Sequence, residues 1–180
     1  MQLDKTGCKR VPATSLFAVI EKKIKYNDVV ITDSGSSFFL GMNMFLPMGV
    51  RFITSGGLSS MGYAVSAGIG AWQALKRRTV AILGDGSFSQ CIPELQTIKH
   101  YNMPIKMFVL NNDGYFSIRN TQKKYFGKYI GESSKTGVSL PSVKKIAKAY
   151  GIKYTTSIDS AFSCKSHVIC ELMASKDTLI

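Results

Sequence analysis

The sequence predicts an α/β fold: a doubly wound, mainly parallel sheet with helices on both faces. Three observations carry that prediction. Strand-like and helix-like segments alternate along the chain, with no internal repeat and no low-complexity linker. The strand-like segments, such as Val29-Val30-Ile31 and Val80-Ala81-Ile82-Leu83, are short apolar runs of the kind buried inside parallel sheets. Asp85 and Asn112 each follow such a run and stand 27 positions apart. That interval holds a turn, a helix, a second turn and a second strand, which is one βαβ unit.

Taken in order, Pro12-Ala13-Thr14-Ser15 leads into an amphipathic helix over Leu16 to Ile24, with Thr14 or Ser15 as its cap. Asp28 to Thr32 is a short buried strand. Phe38 to Pro47 is apolar and irregular and receives no assignment. Arg51 to Thr54 is a further short strand. Gly62 to Leu75, rich in Ala and Gly, is a closely packed helix. Thr79 to Leu83 is a strand, and a helix follows from Ile92 to His100 with Pro93 in its first turn. Ile105 to Leu110 is the next strand. Residues 113–139, with Gly114, Gly127, Gly131 and Gly137, form a long polar loop. Pro141 opens a helix that reaches Tyr150 and stops at Gly151. Ile152 to Thr155 is strand-like, Ser160 to Cys164 is a short helix or turn, and Val168 to Met173 is a last buried strand.

Composition sets the bounds. A chain of 180 residues is one domain by default, spanning 1–180. At 45% apolar and 19% charged it builds a core and is not a disordered segment. No apolar run approaches the roughly 18 residues that span a bilayer, so no membrane role is expected. The stretch Met1-Gln2-Leu3-Asp4-Lys5 is polar and lacks a secretory signal's apolar segment. Cys8, Cys91, Cys164 and Cys170 show no CxxC spacing and read as reduced thiols of a cytoplasmic protein. His100 and His167 are the only histidines and look like surface or packing residues, not zinc ligands. The net charge of +12 admits a nucleic-acid surface or a solvated basic face. The basic residues are scattered in pairs such as Lys22-Lys23, Arg77-Arg78 and Lys144-Lys145, which favours the solvated face; a bound anion or an acidic partner also suits this charge.

The chemistry sits at two strand ends. Gly84-Asp85-Gly86-Ser87 follows one strand and Asn111-Asn112-Asp113-Gly114 the next. Ligands on doubly wound sheets bind outside the carboxyl ends of the strands. Neighbouring strand ends lie about 5 Å apart, so one hard cation can be shared between them. Magnesium takes six oxygens, a few from protein and the rest from substrate phosphates and water. Asp85 can supply a carboxylate oxygen, Asn112 an amide oxygen and Gly114 a carbonyl. Gly86 and Ser87 bring N–H groups and a hydroxyl toward a phosphate. Either half alone is also a plain turn or strand terminator; it is the pair at crossover spacing that points to a metal and a diphosphate.

Gly84-Asp85-Gly86-Ser87 followed by Asn111-Asn112 resembles the signature of thiamine diphosphate-dependent enzymes. Ser55-Gly56-Gly57-Leu58-Ser59-Ser60-Met61-Gly62 resembles a segment of acetolactate synthase-type members, and Glu94-Leu95-Gln96-Thr97-Ile98 and Val109 to Tyr115 also match that group. The likeness covers about residues 12–175 and corresponds to the C-terminal, diphosphate-binding domain. It implies a thiamine diphosphate-binding fold, with Mg2+ held by Asp85, Asn112 and the Gly114 carbonyl. It places Gly84, Gly86, Ser87 and Asn112 at the cofactor, and Gly35, Ser36 and Ser37 around the far side of the diphosphate. Tyr115 would close the diphosphate pocket. Met61 would sit under the cofactor and hold its two rings bent. Ser59, where the family usually has Gly, would alter the wall near the aminopyrimidine.

The resemblance further implies a small 2-oxo acid substrate and a decarboxylase or carboligase reaction of the transferase or lyase type. No catalytic residue is expected in this chain. The family's activating Glu comes from a pyrimidine-binding domain, usually the partner subunit's, and neither that domain nor the middle domain has a counterpart among these residues. A pyrimidine-binding partner or a homo-oligomer is therefore expected, and the chain alone is expected to be inactive. The alternatives are a truncated or degenerate, non-catalytic domain, and, on charge alone, a nucleic-acid-binding module. Arg119, Lys123 and Lys124 are read either as contacts for an acidic substrate or as a solvated loop. The loop from Tyr115 to Gly137 is expected to cover the site.

Overall fold

The computed structural model describes residues 10–176. The polar stretch 1–5 and Cys8 lie outside the described residues. Six strands form one sheet: β1 (Val29–Thr32), β2 (Arg51–Thr54), β3 (Thr79–Gly84), β4 (Lys106–Asn111), β5 (Lys153–Thr155) and β6 (Val168–Met173). Their order is β2-β1-β3-β4-β6-β5, and every pairing is parallel. Parallel neighbours need crossovers, and the helices between them provide these.

The strands bury both faces, and two apolar layers result. Val29, Ile31, Ala81 and Leu83 point to one side, against α3 (Tyr63–Leu75), α5 (Glu94–His100) and α7 (Val143–Ala149) through Val65, Leu95, Ile98 and Ala147. Val30, Val80, Ile82 and Phe108 point to the other, against α1 (Ala13–Glu21), α2 (Ser36–Gly41) and α8 (Ile158–Ser163) through Phe17, Ile20, Leu40 and Ala161. Successive side chains alternate between layers because the strand period is two. This is the doubly wound α/β architecture. Among the described residues no helix is long and apolar enough to cross a membrane.

Several elements differ from expectation. The first helix begins at Ala13 with Pro12 at its cap position and no side-chain cap, so Thr14 and Ser15 lie inside it. Proline's fixed φ, here −52°, starts the turn in their place. Helix α2 (Ser36–Gly41) runs into the unassigned stretch, starting two residues before it. The expected loop 113–139 contains α6 (Phe116–Tyr125). The Ile92–His100 helix starts at Glu94, and a short α4 (Asp85–Ser89) precedes it. In α7 the cap is Ser142, whose hydroxyl accepts from the Lys145 N–H, so the helix opens after Pro141.

The basic residues are not all solvated. Lys106, inside β4, is 3% exposed and donates to the carbonyls of Cys164 and, at 2.7 Å, Ser166. Burial pulls its pKa down. His167 is buried, with an unpartnered Nδ1, and His100 is exposed with its ring edge-on to Tyr101. Cys91 and Cys170 are buried free thiols whose pKa values burial pushes up to about 12.

Arg78 locks the amino-terminal edge of the sheet. Its Nε and Nη2 donate to the two oxygens of buried Asp28 at 2.8 and 2.5 Å, and Nη2 also reaches the Lys23 carbonyl at 2.9 Å. Arg78→Met is expected to strand the Asp28 carboxylate and cost about 2 kcal/mol. Urea unfolding should show a lower midpoint with an unchanged slope.

Candidate functional site

A cleft of about 300 Å3 opens at the carboxyl ends of β1, β3 and β4. Here the strand order reverses, since β1 leads outward to β2 while β3 lies on its other side. The register pairs Thr32 with Ile82 and Gly84 with Leu110, so the three strands end at nearly one level.

Eleven predicted residues line the cleft. From β1 and α2 come Gly35 and Ser36. The β2–α3 connection gives Ser59 and Met61. The end of β3 gives Gly84, Asp85, Gly86 and Ser87, and the end of β4 gives Asn112, Gly114 and Tyr115. Ser37 is not among the lining residues. It is 1% exposed, and its hydroxyl donates to the Ser34 carbonyl at 2.8 Å, inside the first turn of α2. Ser59 has φ +48°, a left-handed conformation that glycine adopts without strain.

Asp85 is buried. Its Oδ1 accepts from the Gly86 N–H at 2.9 Å and its Oδ2 from the Gly114 N–H at 3.1 Å. The Gly86 N–H is therefore held by Asp85 in this structure. Burial raises the Asp85 pKa to about 6 against the lowering effect of these donors. Asn112 is 5% exposed, and its Oδ1 is a buried acceptor with no partner. A buried acceptor left unmade costs about 1–3 kcal/mol, so this oxygen is suited to a ligand in the cleft. Among the described residues no three His, Cys, Asp or Glu gather into a metal cluster. The donors here are one carboxylate, one amide oxygen and backbone carbonyls, a hard-oxygen set that fits magnesium completed by phosphate oxygens.

Close approach shapes the rest. A Cβ on Gly86 would stand 2.5 Å from the Tyr115 ring and 3.6 Å from the Met61 methyl. Tyr115 and Met61 thus flank the glycine-floored part of the cleft. The Ser87 and Ser34 hydroxyls lie 3.4 Å apart.

Three supporting residues escaped the sequence reading. Asp33, fully buried, accepts from the Ser34 N–H at 2.8 Å and the Ala64 N–H at 3.0 Å, tying the end of β1 to the start of α3. Burial raises its pKa. Its position after an apolar strand matches that of Asp85 and was the available signal. Glu132 and Ser133 fold back over the β4 end, and no local pattern announces them. Arg119 is 8% exposed and pairs with Glu132, so it is neither a solvated loop residue nor free for substrate. Burial acts against the Glu132 carboxylate, but the Ser133 hydroxyl and the Arg119 guanidinium hold its pKa below the usual range.

Fold and cleft together define a doubly wound α/β domain with a cleft at the switch point. Comparison with known proteins supplies the family. The family described as thiamine pyrophosphate enzyme, C-terminal TPP binding domain, matches residues 33–177. The chain belongs to that family. It is 32% identical over 139 residues to the acetolactate synthase large subunit of Pyropia yezoensis, covering 77% of this chain and 23% of that protein. It is 37% identical over 103 residues to the acetolactate synthase isozyme 2 large subunit of Escherichia coli K12, covering 57% and 18%. Against the probable pyruvate decarboxylase Pdc101 of Schizosaccharomyces pombe the identity is 30% over 148 residues, covering 71% and 26%. The chain therefore spans only about a quarter or less of these relatives' length.

Proposed function

We propose that the chain is the magnesium- and diphosphate-holding half of a 2-oxo acid decarboxylase or carboligase active site, completed by a pyrimidine-binding partner. The orphaned Asn112 Oδ1, in the lining of the same cleft as the buried Asp85, carries this reading. Asp85, Asn112 and the Gly114 carbonyl would hold Mg2+. Ser36 and Ser87 would meet the diphosphate, with Gly35, Gly84 and Gly86 leaving room for it. Met61 and Tyr115 would orient the cofactor, and Ser59 would border the aminopyrimidine. Bound thiamine diphosphate supplies the electron sink for breaking the bond to the carboxylate of the 2-oxo acid.

The mouth of the cleft supports a partner. Phe39 and Ile118 line it yet are 51% and 44% exposed, and Leu58, next to Ser59, is 87% exposed. Such a rim suits a covering subunit or a second domain. The relatives' names include large subunits of acetolactate synthase, which is consistent with assembly. The free thiols of Cys91, Cys164 and Cys170 suit the reducing cytoplasm.

The test is titration calorimetry of the full chain with thiamine diphosphate. Binding should require magnesium and vanish in chelator, and the chain alone should not turn over pyruvate. Metal-independent binding, or none, overturns the assignment of the cleft. Turnover by the chain alone overturns the need for a partner.

A further inference from the structure

The metal-bearing end of β4 is held from behind by one buried side chain. Arg119, in α6, makes four hydrogen bonds to three parts of the chain. Its Nη1 donates to the carbonyls of Asn112 and Lys176, both at 3.3 Å, and its Nη2 to that of Asp113 at 3.0 Å. Its Nε donates to Glu132 Oε2, closing an ion pair whose side chains are 10% and 6% exposed. Glu132 is itself fixed: its Oε1 accepts from the Ser133 hydroxyl at 2.5 Å and from the Thr136 hydroxyl at 3.3 Å. The Glu132 carbonyl accepts from the Tyr115 N–H at 2.7 Å. The same carbonyl fills the space beside Gly114, where a Cβ would meet it at 2.0 Å.

We infer that Arg119 and Glu132 form a positioning latch that sets the coordination geometry of Asn112 and Gly114. The inference rests on reading the cleft as a magnesium–diphosphate site. Arg119 grips the carbonyl of the residue whose amide oxygen stands unpartnered in the cleft, and the carbonyl of the residue before Gly114. Glu132 grips the residue after Gly114. The turn from 112 to 115 is thus fixed on both flanks, and the latch itself touches neither metal nor cofactor. A guanidinium serves because its planar fork reaches several acceptors at once, which a lysine ammonium does not reproduce. Positioning matters most for an ion that demands near-ideal octahedral geometry, as Mg2+ does, and least for Ca2+, which accepts irregular shells.

That contrast separates a positioning role from a merely structural one. Thiamine diphosphate binding to the full chain is measured by calorimetry with Mg2+ and with Ca2+, for wild type, Arg119→Lys and Glu132→Gln. The expected result is a loss of about ten-fold or more in Mg2+-supported affinity, the range typical of outer-shell partners. Ca2+-supported affinity should fall clearly less. Glu132→Gln keeps the shape and one acceptor oxygen, so it carries the test if Arg119→Lys fails to fold. Equal losses under both ions, or no loss, overturn the latch while leaving the cleft assignment standing. A wild-type chain that binds under neither ion overturns both.

Discussion

Asp85→Ala is expected to lower magnesium-dependent thiamine diphosphate affinity by at least about a hundred-fold, beyond what loss of an outer-shell partner costs. Asp85 is the only carboxylate among the residues lining the cleft, and no second acid stands ready to replace it. Alanine also orphans the Gly86 and Gly114 N–H groups, so Asp85→Asn is the better-controlled variant. Asparagine keeps an acceptor oxygen and removes the charge. It leaves one of the two N–H groups without an acceptor, so the informative quantity is the trend: in metal-free buffer its melting temperature relative to wild type should rise from about pH 4 to pH 7. The sign follows from burial, which raises the carboxyl pKa from 3.8 to about 6 in the folded chain. A group with a raised folded pKa stabilises the fold below its unfolded pKa and loses that contribution as pH climbs through the folded value. Wild type should therefore lose part of its stability between about pH 4 and 6, and Asp85→Asn should not. Adding magnesium and cofactor should raise the wild-type melting temperature and leave the variant unmoved. Equal cofactor affinity in wild type and Asp85→Ala would remove the proposed site.

The contrast in stability shows why this part of the chain was legible as sequence. A buried acid after a continuous apolar strand is costly to the fold, so Gly84-Asp85-Gly86 stands out against its surroundings. Asn112 stands out in the same way, at the end of Met107 to Leu110. Period and apolarity also reveal the strands, because burial on two faces forces the runs at Val29, Val80 and Val168. Other features carry no such local cost. Helix α6 was hidden because Phe116–Tyr125 holds Ser, Arg, Asn, Thr, Gln and two Lys, and it buries only Phe116 and Arg119. Helix α2 was hidden because it is six residues long and its serines read as a turn. Ser37 has the right chemistry for the cleft but lies within α2, where its hydroxyl is spent on the Ser34 carbonyl. Glu132 acts on Gly114 and Arg119 through long-range contacts, and no spacing rule joins 114, 119 and 132. Residues that hold a site by distant carbonyl contacts become visible only in three dimensions.

Gly114→Ala is the sharpest test of that long-range packing. Gly114 has φ +128°, a conformation that L side chains rarely adopt. Its added Cβ would lie 2.0 Å from the Glu132 carbonyl oxygen, 3.0 Å from the carbonyl carbon and 3.1 Å from the Ser133 Cα. All three are backbone atoms, so no side-chain rotation relieves the overlap. Relief requires moving the 132–133 segment, which breaks the 2.7 Å bond from the Tyr115 N–H and pulls on the Arg119–Glu132 pair. Strain and overlap together should cost about 3 kcal/mol locally. The six-stranded core lies away from this turn, so circular dichroism should show an intact fold. Trypsin should cut faster at exposed Lys128 and Lys135, and cofactor affinity should fall about ten-fold or more as the turn proposed to hold the metal shifts. Gly127→Ala is the matched control. Its φ is +63° and no atom lies within 4 Å of the added Cβ, so it bears backbone strain without overlap, about 1 kcal/mol. If both variants behave alike, the close approach of Glu132 to Gly114 is not what shapes the site. If only Gly114→Ala loses cofactor, the 132–133 backbone forms the outer wall of the turn proposed to hold the metal, and the segment beyond α6 belongs to the site as much as the two strand ends do.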